Sequence, residues 1–203
     1  MRLVLASRSP RRAELLRAAG LTFEILPLDV DEHRRDGEAP DTYVRRLAEE
    51  KAAAAWVEIP RTLSGPADRF IVLAADTAVV VDDAILGKPA GDREAGAMLK
   101  QLSGRAHDVL TGVCVSTRGE SSSFVELTTV EFDPLSDEDI AWYVASGEGR
   151  DKAGAYAIQG LASRFVPRIL GSYSNVVGLP VAQAHELIVR LLRSTGSSEL
   201  ASP

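Results

Sequence analysis

The stretch "RLVLASRSPRRAELLRAAG", residues 2–20, sets the start of the fold. Its apolar first part, residues 2–6, predicts a buried strand. The part from Ser9 predicts a helix with Ser9 as N-cap, Pro10 at the first helical position and Gly20 as C-cap. A strand that turns directly into a helix points free N–H groups and the positive end of the helix dipole at one place. That arrangement favours an anion.

The turn between this strand and helix is rich in arginine for a chain that is acidic overall. Four arginines precede the first acidic residue of the chain: Arg2, Arg8, Arg11 and Arg12. Guanidinium groups form forked, charge-assisted bonds to phosphate oxygens, and the Ser7 hydroxyl can add a donor. Adjacent helical residues leave the axis about 100° apart, so Arg11 and Arg12 have different roles. A well-capped surface helix with solvated arginines explains the stretch equally well.

Composition limits the possible functions of the chain. It has 203 residues, of which 45% are hydrophobic and 26% charged, and its net charge is -6. These values are typical of a globular protein with a real core, and they lack the basic balance of a nucleic-acid binder. No apolar run approaches the ~20 residues of a membrane span, there is no secretory signal pattern, and Cys114 is the lone cysteine. We therefore expect a cytoplasmic protein with no nucleic-acid or membrane partner.

Strand and helix patterns alternate along the chain and predict an α/β fold. Strands are expected at residues 2–6, 21–26, 70–76, 77–87, 107–117, 123–132, 155–160 and 164–170. Helices are expected at residues 9–20, 42–58, 92–104 (capped by Asp92), 136–147 and 181–194, and loops at residues 27–41 and 171–180. The pattern of predicted elements changes in the second half of the chain, which suggests a second lobe. Residues 197–203 are expected to be a disordered tail.

Two charged residues interrupt apolar patterns. Lys51 lies on the buried stripe of the predicted 42–58 helix, seven residues after Val44. Asp76 ends an apolar run at the predicted end of a strand, where open α/β sheets place their ligand chemistry. A carboxylate there binds a divalent cation or takes a proton from water. A snorkelling lysine and an aspartate bonded to backbone N–H groups are at least as common, and both alternatives stay open.

Further charged residues are candidates for the same site. Asp29, Asp31 and Glu32 in the predicted loop are each able to complete a metal site with Asp76, because Mg²⁺ prefers oxygen ligands. Periodicity does not choose among the three. Lys88, in "GKP", is another candidate cation, although no Gly-rich loop precedes it as in a Walker motif.

Six longer motifs run in order from residue 5 to residue 180. They are "LASRSPRRAELL", "LAADTAVV", "ILGKP", "LSGRAHDVLTGV", "DKAGAYAIQG" and "GSYSNVVGLP". Together they resemble the Maf family of nucleoside triphosphate pyrophosphatases. The resemblance implies an α/β, Maf/ITPase-like fold with an elongated mixed central sheet flanked by helices. It implies one catalytic domain over residues 1–196, with two lobes and a cleft between them, and a homodimer.

The resemblance also implies a reaction. A nucleoside triphosphate is hydrolysed between its α and β phosphates, with Mg²⁺ or Mn²⁺, to the monophosphate and pyrophosphate. Matched motif by motif, Asp76 is the expected catalytic base and metal ligand, and Glu32 is the second metal carboxylate. Lys51 and Lys88 are the expected catalytic lysines on the phosphate side. Ser7 and Arg11 are the expected substrate-binding residues on that side.

Three further matches concern the base of the nucleotide. Arg12, Thr77 and Gln159 match the substrate-binding positions of the branch that acts on dTTP and UTP. A sister branch acts on 7-methyl-GTP and carries a bulky aromatic residue in place of the arginine. An alternative of another class is a nucleotide-binding regulator of septum formation and cell division. The pair of carboxylates favours the enzyme, because a sensor of nucleotides needs cations more than acids.

Overall fold

A computed structural model describes residues 1–196 and Leu200. Its strands are β1 (Arg2–Ala6), β2 (Glu24–Ile25), β3 (Phe70–Val81), β4 (Ala84–Leu86), β5 (Ala106–Ser116), β6 (Ser121–Glu131) and β7 (Arg168–Leu170). Its helices are α1 (Pro10–Ala18), α2 (Pro40–Thr62), α3 (Asp92–Leu102), α4 (Asp137–Ser146), α5 (Tyr173–Val177) and α6 (Val181–Ser194). Short 3₁₀ turns cover Ala67–Arg69, Ala153–Ala155 and Leu161–Phe165. The predicted tail, residues 197–203, lies outside the described residues except for Leu200.

The strands form one seven-stranded mixed sheet in the order β2-β1-β3-β5-β6-β7, with β4 paired to β3. β1 is parallel to β2 and to β3, whereas β4 is antiparallel to β3 and β7 is antiparallel to β6. The prediction of an α/β fold with a mixed central sheet flanked by helices is confirmed. In the described part of the chain, no helix combines the length and the apolar character needed to cross a bilayer.

The chain divides into two compact units. The first contains residues 1–76, residues 111–126 and the described residues from Gly178 onward, and the second contains residues 77–110 and 127–177. The long strands β3, β5 and β6 each contribute to both units. Each unit therefore combines separate stretches of the sequence.

The core of the first unit has two faces because successive residues of a strand point to opposite sides of the sheet. Leu5 and Leu73 pack on one side with residues of α1 and α6. Val4, Val72 and Ala74 pack on the other side with residues of α2. Each fully buried valine or leucine among them contributes about 1.5–3 kcal/mol to folding. Odd-numbered residues of β1 and β3 therefore pack with α1 and α6, and even-numbered residues pack with α2.

Several predicted boundaries in the first unit were wrong by a few residues, and one was wrong in kind. α2 begins at Pro40, where a proline suits the first helical turn, and it continues through Pro60 to Thr62. β3 is a single strand of 12 residues, so the predicted break after Asp76 does not exist. Four of the five residues from 77 to 81 are β-branched, which favours an extended backbone. Asp76 lies just beyond the last β1–β3 pair, Ala6 with Ala74, and not at the end of its own strand.

In the second unit, the predicted strand at residues 155–160 is wrong. Ala153–Ala155 forms a 3₁₀ turn in which Gly154 and Ala155 have positive φ values of 67° and 59°, and residues 156–160 form no strand. The strand predicted at residues 164–170 is reduced to β7, and α5 lies within the predicted loop at residues 171–180. The N-cap of α3 is Gly91 and not Asp92, whose carboxylate instead accepts hydrogen bonds from Arg150.

Other elements match their patterns closely. α3 buries its apolar face, and the hairpin of β5 and β6 closes with Thr117 N–H donating to the Glu120 carbonyl at 2.8 Å. α4 lies within the predicted 136–147 range, has a capping box of Ser136 and Asp139, and stops at Gly147, which has a left-handed conformation.

Candidate active site

A buried lysine and a buried aspartate face each other in the first unit. Lys51 Nζ donates to Asp76 Oδ1 at 2.6 Å, and the two side chains are only 10% and 12% exposed. The sequence explains the encounter. Val72 and Ala74 pack on α2, so Asp76, two residues further along β3, points the same way. Lys51 lies four residues before Ala55 on the buried stripe of α2. Lys51 therefore ends in a buried ion pair, and it does not snorkel to solvent.

Glu32 completes this group from the loop between β2 and α2. Lys51 Nζ also donates to Glu32 Oε1 at 2.7 Å, and the Glu32 side chain is 47% exposed. The other two candidate acids lie elsewhere. Asp29 pairs with an exposed arginine, and Asp31 with an exposed histidine. The structure thus distinguishes among three acids that periodicity left equal. We call Glu32, Lys51 and Asp76 the carboxylate–lysine cluster.

Arg12 is fixed beside this cluster by the protein itself. Its Nε donates to the Gly178 carbonyl and its Nη1 to the Ala75 carbonyl, each at 2.8 Å. Nη1 also lies 3.3 Å from Ser7 Oγ, which accepts the Ser9 N–H at 3.1 Å. Ser9 occupies the N-cap position as predicted, but its own side chain makes no capping bond. Arg12 therefore braces the β1–α1 turn against β3.

Burial and charge shift the pKa values at the site in opposite directions. Burial raises the pKa of Asp76, while the positive charges of Lys51 and Arg12 oppose that rise. Burial lowers the pKa of Arg12, and the negative charge of Asp76 opposes that change. Burial, reinforced by the charges of Asp76 and Glu32, raises the pKa of Tyr43 to about 12. A carboxylate with a raised pKa accepts a proton more readily than an ordinary aspartate near neutral pH.

The remaining predicted residues are distributed over both units. Arg11 is half-buried in the first unit, close enough to Arg12 for its charge to lower the pKa of Arg12. Thr77, Lys88 and Gln159 belong to the second unit, where Thr77 is half-buried and the other two are exposed. Neither Lys88 nor Gln159 has a side-chain hydrogen bond or ion pair to any residue that the structure describes.

Sequence reasoning missed three residues that hold the loop with Glu32. They are Tyr43 and Arg46 of α2 and Glu38 near the end of the loop. Their spacing gave only a weak signal. A tyrosine and an arginine three residues apart share one helix face, but a charge-rich loop usually reads as solvated.

The cluster contains the oxygen donors that a hard divalent cation prefers. Among the described residues there is no group of three or more His, Cys, Asp or Glu side chains able to hold a metal ion. The two carboxylates of Asp76 and Glu32 meet at one ammonium group. Mg²⁺ is commonly bound by one or two carboxylates that share it with waters and substrate phosphates. The donor set fits that mode of binding and does not fit an all-protein cage.

Comparison with known proteins decides the family. The model of the Maf-like protein family matches residues 2–191. The chain belongs to the Maf family. This Maf protein is 51% identical over 194 residues to the dTTP/UTP pyrophosphatase of Anaeromyxobacter sp., with 93% of this chain and 89% of that one covered. It is 50% identical over 189 residues to the dTTP/UTP pyrophosphatase of Alcanivorax borkumensis, with 93% and 94% covered.

One further relative and one solved structure are also similar to the Maf protein. The dTTP/UTP pyrophosphatase of Methylobacillus flagellatus is 48% identical over 195 residues, with 96% of this chain and 93% of that one covered. The solved structure of the Staphylococcus aureus Ham1 protein aligns with a TM-score of 0.48 and 16% identity, with 96% and 99% covered. The resemblance first seen in six motifs is confirmed at the level of the family.

Proposed function

We propose that this Maf-family protein is a nucleoside triphosphate pyrophosphatase that acts on dTTP and UTP. The carboxylate–lysine cluster is the observation that carries the proposal. In this cluster Lys51 contacts an aspartate whose pKa is raised, and Arg12 of α1 lies near that aspartate. The N-terminus of a helix favours anions, so these contacts support a phosphate ligand. Relatives of about 50% identity that are named dTTP/UTP pyrophosphatase support the choice of substrate.

The proposed chemistry assigns a separate task to each side chain. A water molecule gives a proton to the Asp76 carboxylate while its oxygen forms a bond to the α-phosphorus. The bond from the α-phosphorus to the oxygen that bridges to the β-phosphate breaks, and pyrophosphate leaves with the electron pair. Lys51, Arg11 and the N-terminus of α1 stabilise the negative charge that grows on the leaving group.

Asp76 and Glu32 are the residues that would hold a divalent cation, Mg²⁺ or Mn²⁺. When bound, such an ion supplies Lewis-acid chemistry and lowers the pKa of a water molecule. Lys51 has a second task here, because its positive charge opposes the rise in the pKa of buried Asp76 and its ammonium group holds the Glu32 carboxylate close to Asp76. A buried aspartate without such a partner would favour the protonated form.

Further residues enter the proposal on the strength of the family resemblance. We propose Lys88 as a further phosphate ligand, and Arg12, Thr77 and Gln159 as residues that select a pyrimidine base. Cytoplasmic location and homodimer formation also stay predictions from sequence and resemblance. Sedimentation equilibrium of the purified protein would test the homodimer directly.

A pyrophosphate-release assay over a panel of nucleoside triphosphates with Mg²⁺ tests the function. We expect the highest kcat/KM for dTTP and UTP. Highest activity on 7-methyl-GTP would place the protein in the sister branch instead. If the protein binds nucleotides tightly but hydrolyses none of them, the proposal of an enzyme is overturned and a nucleotide-binding regulator is favoured.

A further inference from the structure

The loop that carries Glu32 is bonded to α2 through its main chain. Tyr43 Oη donates to the carbonyl of Glu32 at 2.9 Å, and Arg46 Nη2 donates to the carbonyl of His33 at 3.1 Å. Tyr43 and Arg46 are three residues apart and so share one face of the helix. Two consecutive carbonyls of the loop are thus held by neighbouring side chains of the helix that also carries Lys51.

A buried ion pair fixes the arginine of this arrangement. Arg46 donates from Nε to Glu38 Oε1 at 2.6 Å and from Nη2 to Glu38 Oε2 at 2.8 Å. The two side chains are only 13% and 5% exposed. A forked arginine–carboxylate pair defines direction as well as distance, unlike an exposed pair of single contacts.

Glu38 also closes the loop on itself. It accepts the Arg35 N–H at 3.1 Å through Oε2, and its own carbonyl accepts two bonds from Arg34 at 2.8 and 2.6 Å. The Arg46 guanidinium lowers the pKa of Glu38 to about 2, so the pair stays charged at neutral pH. The segment from Glu32 to Glu38 is therefore bonded to α2 near both of its ends.

Glu32 depends on such support because no helix or strand fixes its main chain. It lies between β2 and α2, outside any helix or strand, and its side chain is half-exposed. A half-exposed carboxylate gains little from a single ion pair, since side-chain entropy and solvent oppose the contact. Fixing the main chain at Glu32 and at the next residue removes much of that entropy before the carboxylate meets Lys51.

We propose that Tyr43, Arg46 and Glu38, which we call the α2 clasp, are positioning residues that keep the Glu32 carboxylate on Lys51. Their effect on turnover rests on the proposed function. Their effect on the order of the loop does not. The clasp would act before any ligand arrives, by setting where the more exposed of the two carboxylates lies.

The test compares variants of the clasp with a matched variant on the same helix. Arg46→Met removes the forked pair, and Tyr43→Phe removes one hydroxyl and leaves the ring. Arg45→Met removes an equal charge from an adjacent exposed position outside the clasp. We expect kcat/KM for dTTP to fall ~10-fold in Arg46→Met and ~3-fold in Tyr43→Phe, and to change less than ~2-fold in Arg45→Met.

A double-mutant cycle separates positioning from general stabilisation. If the clasp acts through Glu32, adding Arg46→Met to Glu32→Gln should cause little further loss in kcat/KM. A loss that multiplies with that of Glu32→Gln would overturn the proposal, because it would show an effect independent of the carboxylate. If Arg46→Met does not fold, Tyr43→Phe enters the same cycle.

Amide hydrogen exchange of a peptide spanning residues 30–38 gives a readout that needs no turnover. Exchange should be faster in Arg46→Met than in Arg45→Met and the unchanged protein. Equal exchange in all three would overturn the clasp. If the unchanged protein hydrolyses neither dTTP nor UTP, the proposed function is lost, and the exchange rates alone decide whether the clasp exists.

Discussion

The two units of this Maf protein bury their polar groups in opposite ways. The first unit brings charges together in the carboxylate–lysine cluster, where Lys51 Nζ lies within 2.7 Å of both carboxylates. The second unit buries groups that stay neutral. His107 Nε2 lies 2.8 Å from the Tyr156 hydroxyl, and both rings make edge contacts with Phe132. We call these three residues the aromatic cluster.

The difference shows how burial is used in each unit. In the aromatic cluster, burial lowers the pKa of His107 to about 4 and raises that of Tyr156, so neither group is charged near pH 7. Keeping these buried groups neutral avoids the larger cost of burying a charge. In the first unit, compensating cations keep buried charge in place, which costs desolvation energy but prepares the site for an ionic ligand.

We expect the largest effect when the Asp76 carboxylate of the first unit is removed. Asp76→Asn should lower kcat by at least ~10²-fold, because an amide cannot accept the proton from water. Pyrophosphate release measures the rate, and circular dichroism checks the fold. Asp29→Asn, in the same loop as Glu32 but bonded to an exposed arginine, is the control. Normal turnover in Asp76→Asn would remove Asp76 from the mechanism.

Removing the cation of the cluster should have the next largest effect. Lys51→Gln should lower kcat/KM roughly 10- to 100-fold, the equivalent of losing one charged hydrogen bond. Lys51 lowers the pKa of Asp76, so its loss raises that pKa further. The acid limb of the pH–rate profile should therefore move to higher pH. An acid limb that stays in place would show that Asp76 is not the titrating group.

The aromatic cluster should affect stability and not turnover. Because the pKa of His107 falls from 6.5 to about 4 on folding, the unfolded chain binds more protons between those values. Stability is full above pH 6.5 and is lost as the pH falls toward 4. Between pH 7.5 and pH 5, the shifted pKa of His107 lowers the free energy of unfolding by about 2 kcal/mol.

Urea unfolding at the two pH values measures this loss. His107→Gln keeps a hydrogen-bonding group beside Tyr156 but does not titrate, so its loss of stability between pH 7.5 and pH 5 should be about 2 kcal/mol smaller. His185→Gln, at an exposed position of α6, is the control. If His107→Gln and the unchanged protein lose the same free energy of unfolding between the two pH values, the protonation of His107 does not cause the loss, and the prediction is wrong.

The smallest expected effect concerns another neutral group of the second unit. The buried Tyr143 hydroxyl donates to Glu148 Oε2 at 2.8 Å and accepts the Ala157 N–H at 3.0 Å. Tyr143→Phe should lower the free energy of unfolding by about 1 kcal/mol, because both partners lose a hydrogen bond. Urea unfolding again measures the change. An unchanged midpoint would mean that solvent replaces these bonds at no cost.

Local patterns in the sequence determined much of this protein. The buried strand β1, the helices α4 and α6 and the position of Lys51 on a buried stripe were all predicted from neighbours only a few residues away. Side-chain periodicity and end-capping act over that range, so a single sequence is enough to read them.

Tertiary structure decided which acid meets Lys51, a choice that local patterns left open and that the family resemblance alone had favoured. Tertiary structure alone showed that Tyr43, Arg46 and Glu38 hold the loop that carries this acid. It also decided that β3 continues past Asp76 and that Arg12 is bonded to protein carbonyls. These contacts join residues far apart in the chain. They depend on the order of the strands and on which helix covers which face, and no local pattern of residues specifies either.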